Sequence, residues 1–236
     1  MSRRAGAGAS AEDVLAALEA VRSEAELVNV RKRLAPDEDA FGMRMRDLFA
    51  TANTYAGLSL GEVDRLLEHP AYEPRMAAMC ILDFQARRRL DDDQRRARCQ
   101  LYLDRHDRIT TWDMVDRAAP RVVGGHLAGR TPTPLHELAA APQPLRRRTA
   151  ITAPLYFVHA GSDDDVAEGF TLARLLATDP EPVVHNAVGT FLKHAGTRDP
   201  KALHQFLTEH ARSLPRPALR LATAKLDADQ RARYSR

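Results

Sequence analysis

Residues 59–84 read SLGEVDRLLEHPAYEPRMAAMCILDF. Ser59 stands one place before Leu60, and Glu62 lies three positions beyond Ser59. That is the order of a capping box, in which a hydroxyl and a carboxylate satisfy backbone N–H groups left without partners in a first helical turn. His69-Pro70 closes the helix, because proline disfavours the α conformation in the residue before it. Past the break, Met76, Met79, Cys80, Ile81, Leu82 and Phe84 recur at helical spacing. The stretch therefore reads as a helix, a tight break and a second helix, one antiparallel pair.

The same reading extends in both directions. Val14, Leu15, Leu18 and Val21 form an earlier apolar stripe. Ser162 followed by Asp163, Asp164 and Asp165 supplies a cap and acidic residues suited to a helix N-terminus, and Asp91-Asp92-Asp93 reads as another helix start. Further breaks fall at Pro132-Thr133-Pro134, Asp179-Pro180-Glu181-Pro182 and Asp199-Pro200. Helices are expected near 11–22, 41–54, 59–68, 73–89, 91–105, 111–127, 133–141, 144–160, 163–178, 182–196, 199–212 and 215–225. Their pairs start near 59, 91, 132, 163 and 199, the period of a helix–turn–helix repeat such as HEAT. No run alternates in period two with hairpin signals. The expected fold is all-α, an α-solenoid of antiparallel helix pairs, with an irregular helical bundle as the alternative. Residues 1–10 are expected to form a flexible N-terminal arm and residues 11–236 a single solenoid domain.

Composition narrows the function classes. The chain of 236 residues is 44% hydrophobic and 28% charged, ordinary for a globular protein, and its aromatic share of 6% leans towards helix. A formal charge of +3 neither demands nor excludes nucleic acid, so the placement of the arginines matters more than their sum. Two cysteines, Cys80 and Cys99, are too few for a disulfide scaffold or a cysteine-rich zinc site. The histidines show no ligand pair with a carboxylate helper, so neither a metal nor a cofactor is expected. No apolar run approaches the roughly 20 residues of a membrane helix, and the N-terminus lacks the apolar stretch of a signal peptide. A cytoplasmic location, no membrane association and a monomer are expected.

Three features could carry chemistry. Thr110-Thr111-Trp112-Asp113-Met114-Val115-Asp116 holds the single tryptophan; Thr110 or Thr111 can cap a helix on which Trp112 and Asp116 share one face. A core tryptophan beside a solvated aspartate is the competing reading. Leu145-Arg146-Arg147-Arg148 opens an otherwise apolar helix, and arginines in a first turn oppose the positive end of the helix dipole unless an anion, phosphate or carboxylate, lies nearby. A solvated basic turn fits the same pattern. Pro215-Arg216-Pro217-Ala218-Leu219-Arg220, with Lys225 beyond it, could touch phosphates or simply be a solvated closing helix. Gly124-Gly125 fits no phosphate loop.

Six runs, in order, resemble the AlkD family of bacterial DNA alkylation repair proteins, HEAT-like glycosylases. They are Ala40-Phe41-Gly42-Met43-Arg44, His69-Pro70-Ala71-Tyr72-Glu73-Pro74-Arg75, Thr111-Trp112-Asp113-Met114-Val115-Asp116, Arg147-Arg148-Thr149-Ala150-Ile151, His185-Asn186-Ala187-Val188-Gly189 and Pro215-Arg216-Pro217-Ala218-Leu219-Arg220. The resemblance implies binding of double-stranded DNA carrying alkylated bases in a concave face, and action at the nucleoid of a bacterial cell. It implies hydrolysis of the N-glycosidic bond of purines alkylated at N3 or N7. On that pattern Asp116 is the catalytic carboxylate, Trp112 packs on the sugar–phosphate backbone and Arg148 holds a phosphate near the lesion. Arg147, Arg44, Lys193, Arg216 and Thr190 then occupy DNA-facing positions.

The chain departs from the pattern at two places. Thr190 stands where such enzymes carry a second DNA-facing tryptophan, and Leu145 stands where a tryptophan precedes the basic turn. A non-catalytic protein that binds damaged DNA or a protein partner is the alternative, since a fold does not fix a function.

Overall fold

A computed structural model describes residues 8–234, which form helices and turns and contain no β-strand. The fold is all-α and solenoid-like, built from packed helix pairs. Two compact units divide the chain, one reaching Ala118 and the other beginning at Ala119. Most of the expected N-terminal arm lies outside the described residues, and its last member, Ser10, caps the first helix. Among the described residues no helix is long and apolar enough to cross a membrane.

The first unit comprises α1 (Ala11–Glu19), α2 (Glu24–Arg31), α3 (Met45–Thr54), α4 (Leu60–Glu68), α5 (Tyr72–Ala86), α6 (Asp92–Asp104) and α7 (Trp112–Ala119), whose last residue opens the second unit. Helix α5 is its core and packs against α1, α3, α4 and α6. The stripe read from the sequence is wholly buried from Met76 to Leu82. Polar groups on this helix are paired, as burial requires. The Gln85 amide donates to the Leu58 carbonyl at 2.8 Å. Asp83, 0% exposed, is bridged by Arg87 at 2.7 Å and Arg117 at 2.9 Å. Arg117 itself lies 4.6 Å from the Phe49 ring and 4.7 Å from the Phe84 ring, stacked between two π-faces.

Only half of the capping box at Ser59 forms. The Ser59 hydroxyl accepts from the Glu62 amide at 3.3 Å, but the Glu62 carboxylate accepts from the backbone N–H of Ala11 at 2.9 Å. It thereby serves an orphan donor in the first turn of α1 instead of its own helix. The complete, reciprocal box is found at Ser10, Asp91, Ser162 and Asp227. Helix α2 has no counterpart in the sequence reading, and the reason is physical. Its only buried residue is Val30, so it presents no apolar stripe to detect.

In the second unit a π-helical turn (Pro120–Gly124) leads into α8 (Gly125–Leu127). It continues through α9 (Thr133–Ala139), α10 (Pro144–Thr152), α11 (Leu155–Ala160), α12 (Asp163–Leu175), α13 (Pro182–Arg198), α14 (Pro200–His210), α15 (Arg216–Ala222) and α16 (Ala228–Ala232). Prolines account for two departures from the expected helices, while α16, like α2, has no counterpart in the sequence reading. Pro120 interrupts the helix expected over 111–127, because a proline offers no N–H and crowds the carbonyl four residues back; the ladder relaxes to a wider turn. Pro154 likewise divides the helix expected over 144–160 into α10 and α11.

Helix α13 is the hub of this unit and packs against α10, α11, α12, α14 and α15. Close approach to α15 depends on Gly189, where an added Cβ would sit 2.6 Å from the Ala218 carbonyl. Phe191, fully buried, meets the edge of Phe170 at 5.6 Å.

Candidate functional site

Helix α7 buries Met114, Val115, Ala118 and Ala119 and turns Trp112 and Asp116 outward. Trp112 is 50% exposed, which excludes the core-tryptophan reading. Burying a large apolar side chain is worth roughly 1.5–3 kcal/mol, so a half-exposed indole forgoes part of that stability. The carboxylate of Asp116 stands one turn along the same face.

What fixes this helix is Asp113, between them. Its carboxylate accepts from the Thr111 hydroxyl at 2.5 Å, the Tyr72 phenol at 2.8 Å, the Arg33 guanidinium at 3.1 Å and its neighbouring amide, Met114 N–H, at 3.1 Å. Arg33 also lies over the Tyr72 ring at 5.4 Å. Burial and the negative charge of Asp113 push the Tyr72 phenol well above its ordinary range, so it stays a donor at any working pH. One residue upstream of Thr111, the Thr110 hydroxyl donates to Glu38 at 2.5 Å, and Glu38 is also held by the buried Arg75. Arg75 reaches on to the carbonyls of Ala71 and Arg108 at 3.2 and 3.4 Å.

The first matching run joins the same cluster. Glu73 accepts from the amides of Phe41 and Gly42 at 2.8 and 2.9 Å. Gly42 has φ +80°, and a Cβ there would meet Leu27 at 2.5 Å, so the turn requires glycine. The runs around residues 41, 72 and 112, separated in sequence, are thus one hydrogen-bonded assembly that presents Trp112 and Asp116. Sequence reasoning quoted Tyr72, Glu73, Arg75 and Asp113 only as parts of matching runs. It missed Arg33 and Glu38 altogether, for they sit in a stretch with no helical stripe.

The remaining sequence-predicted site residues occupy different settings. Arg44, in the first unit, is exposed and bridged to Glu26 at 3.2 Å. In the second unit Arg147 and Arg148 diverge from the start of α10. Arg147 forms a paired bridge to Asp179 at 2.6 and 3.1 Å and caps the carbonyls of Ala141 and Pro142. Asp179 is the anion that the basic turn called for, and it raises the Arg147 guanidinium above its usual range through that hydrogen bond. Arg148, 5% exposed, donates to the Val183 carbonyl at the start of α13. Thr190 and Lys193 are half-buried on α13, and Arg216 is exposed at the start of α15. Next to Thr190 in sequence, Phe191 is in the core, and Tyr156 on α11 is half-buried.

Against known families, residues 14–226 match the one described as DNA alkylation repair enzyme. The chain belongs to that family. No curated protein matches it. As a DNA alkylation repair family member it has a role in the repair of alkylated DNA. One conceivable repair chemistry is removal of the alkyl group by a thiolate. Burial pushes the thiols of Cys80 and Cys99 up to about 12, and both are enclosed in the core, so this DNA alkylation repair protein offers no nucleophilic sulfur.

Proposed function

We propose that this protein is a DNA glycosylase that hydrolyses the N-glycosidic bond of cationic N3- or N7-alkylated purines in duplex DNA. The observation that carries the reading is the half-exposed Trp112 with Asp116 one turn away, on a helix braced from three sides, in a member of a DNA alkylation repair family. A purine alkylated at N3 or N7 already bears a positive charge. When its bond to C1′ breaks, the electron pair neutralises the base, so no strong general acid is needed. Positive charge develops on the deoxyribose, and the Asp116 carboxylate stabilises it. Water adds to C1′ and releases its proton to the carboxylate or to solvent. Trp112 lies on the sugar–phosphate backbone, and Arg148 is assigned the phosphate beside the lesion. Arg44, Lys193 and Arg216 supply further backbone contacts, which position the protein without reading sequence.

The test is release of 3-methyladenine or 7-methylguanine from methylated duplex DNA, with Asp116→Asn as control. Release by the wild type and its loss in the variant support the reading; no release at high protein concentration overturns it.

A second reading has its own observation. Thr190 replaces a tryptophan, Leu145 replaces another, and Phe191 is buried, so the aromatic surface around α13 is reduced to Tyr156. A non-catalytic binder of damaged duplex would show salt-sensitive binding that weakens on Arg148→Ala, without base release.

A further inference from the structure

A cleft of about 330 Å³ opens in the second unit where the π-helical turn, α11 and α13 meet. Its lining is Pro120, Arg121, Leu155, Tyr156, His159 and His194. Gly124 and Gly125, which fit no phosphate loop, explain how the walls come together. At Gly124 an added Cβ would strike the Ala153 carbonyl at 2.1 Å, and at Gly125 it would sit 3.4 Å from the Tyr156 ring. Glycine at 124 lets the turn lie directly on α11, while at Gly125 an added Cβ would only touch the Tyr156 ring.

The charges that act on His194 have one sign. The charged groups acting on His194 are Lys225 beyond α15, Lys193 on its own helix and His159 on α11. Arg121 lines the cleft as well, and among the described residues no carboxylate lines it. Burial, then these neighbours, hold the His194 ring below its ordinary range. Like charges gathered around a partly enclosed space repel one another, and an anion would relieve that repulsion. The floor, by contrast, is apolar: Pro120, Leu155 and the Tyr156 ring. A free multivalent phosphate would use only the cations. A backbone phosphodiester brings one negative charge flanked by deoxyribose, and so uses both.

We propose that the cleft lined by Arg121, Tyr156, His159 and His194 binds a phosphodiester of duplex DNA, with His194 taking up a proton as it binds. The inference rests on the duplex-binding half of the proposed function and is independent of catalysis. Tyr156 supplies here an aromatic backbone contact that Thr190 does not. An entering anion favours the protonated form of His194, so binding tightens as pH falls through the range in which that imidazole takes up its proton.

The experiment is fluorescence anisotropy with a short undamaged duplex, across salt concentrations and from mildly alkaline to mildly acidic pH. For the wild type, affinity rises on acidification by up to about tenfold per pH unit for each proton taken up. The double variant His159→Gln, His194→Gln binds several-fold more weakly at acidic pH and loses that pH dependence. Its plot of log affinity against log salt is shallower by about 0.9, one phosphate. His159→Gln alone changes an exposed position and shows the same direction with packing untouched. The inference is overturned if the double variant, folded by circular dichroism, matches the wild type in affinity, salt slope and pH dependence. It is also overturned if inorganic phosphate alone shifts the two imidazole NMR signals while the duplex does not. Duplex binding through the cleft without base release leaves it standing and sinks the glycosylase reading instead.

Discussion

The phenol of Tyr72 donates to the carboxylate of Asp113 at 2.8 Å, and that bond ties the core helix α5 to the first turn of α7. Tyr72→Phe removes the donor and leaves Asp113 with Thr111 and Arg33. A hydrogen bond to a charged group contributes about 2 kcal/mol, equivalent here to roughly 5 °C in Tm. Thermal unfolding checks the loss. If base release falls further than the folded fraction does, Tyr72 positions the site as well as stabilising the helix.

Asp116 is exposed on the outer face of α7, so Asp116→Asn leaves stability within about 0.5 kcal/mol. On the proposed mechanism the same substitution lowers the rate of base release by about 100- to 1,000-fold. Single-turnover release from methylated duplex, with Tm measured alongside, separates the two effects.

Asp83 carries the heaviest structural charge. It is fully buried between Arg87 and Arg117. Asp83→Ala strands the Arg117 guanidinium between two rings without its counter-ion, at a cost of about 3–5 kcal/mol. Urea unfolding of the variant should show a markedly lower midpoint or no folded baseline; an unchanged midpoint would contradict the pairing.

Gly189→Ala places a methyl against the Ala218 carbonyl. Helices α13 and α15 must separate, an overpacking cost of about 1–3 kcal/mol. Chemical denaturation reads this directly. Gly61→Ala, where nothing lies within 4 Å of the added Cβ, is the matched control and should not destabilise.

Mild acid should weaken the fold. Burial, then the nearby Arg75, hold His69 below its ordinary value of 6.5, and its Nδ1 accepts from the Ala71 amide at 3.0 Å. A histidine whose folded value is depressed stabilises the protein above the unfolded value. That stability is lost as pH falls from about 6.5 through the lower folded value. Tm should therefore drop over that window, and His69→Gln should flatten the drop.

The sequence revealed most of the helices because they announce themselves locally. The stripe from Met76 to Phe84 needed only its spacing, and Ser162 with Asp165 formed the reciprocal cap that the order of residues suggested. Helix α2 escaped because its surfaces are wet: Val28 is 62% exposed. The face bearing Trp112 and Asp116 was legible from a spacing of four. Its brace was not, since Arg33, Glu38 and Tyr72 meet α7 across intervals no local pattern encodes. The basic turn at Arg147 raised the right question, an anion nearby, but only the fold shows that Asp179 supplies it for Arg147.

Helix α7 has only eight residues, well short of the roughly 12–15 that an isolated helix needs to hold its shape in water. Its form is therefore borrowed from Tyr72, Arg33 and Thr111. Transplanting Trp112 through Asp116 onto another scaffold would carry the indole and the carboxylate but leave Asp113 without its donors. The face bearing Trp112 and Asp116 is not a portable cassette: it can be moved only together with the core helix that holds it.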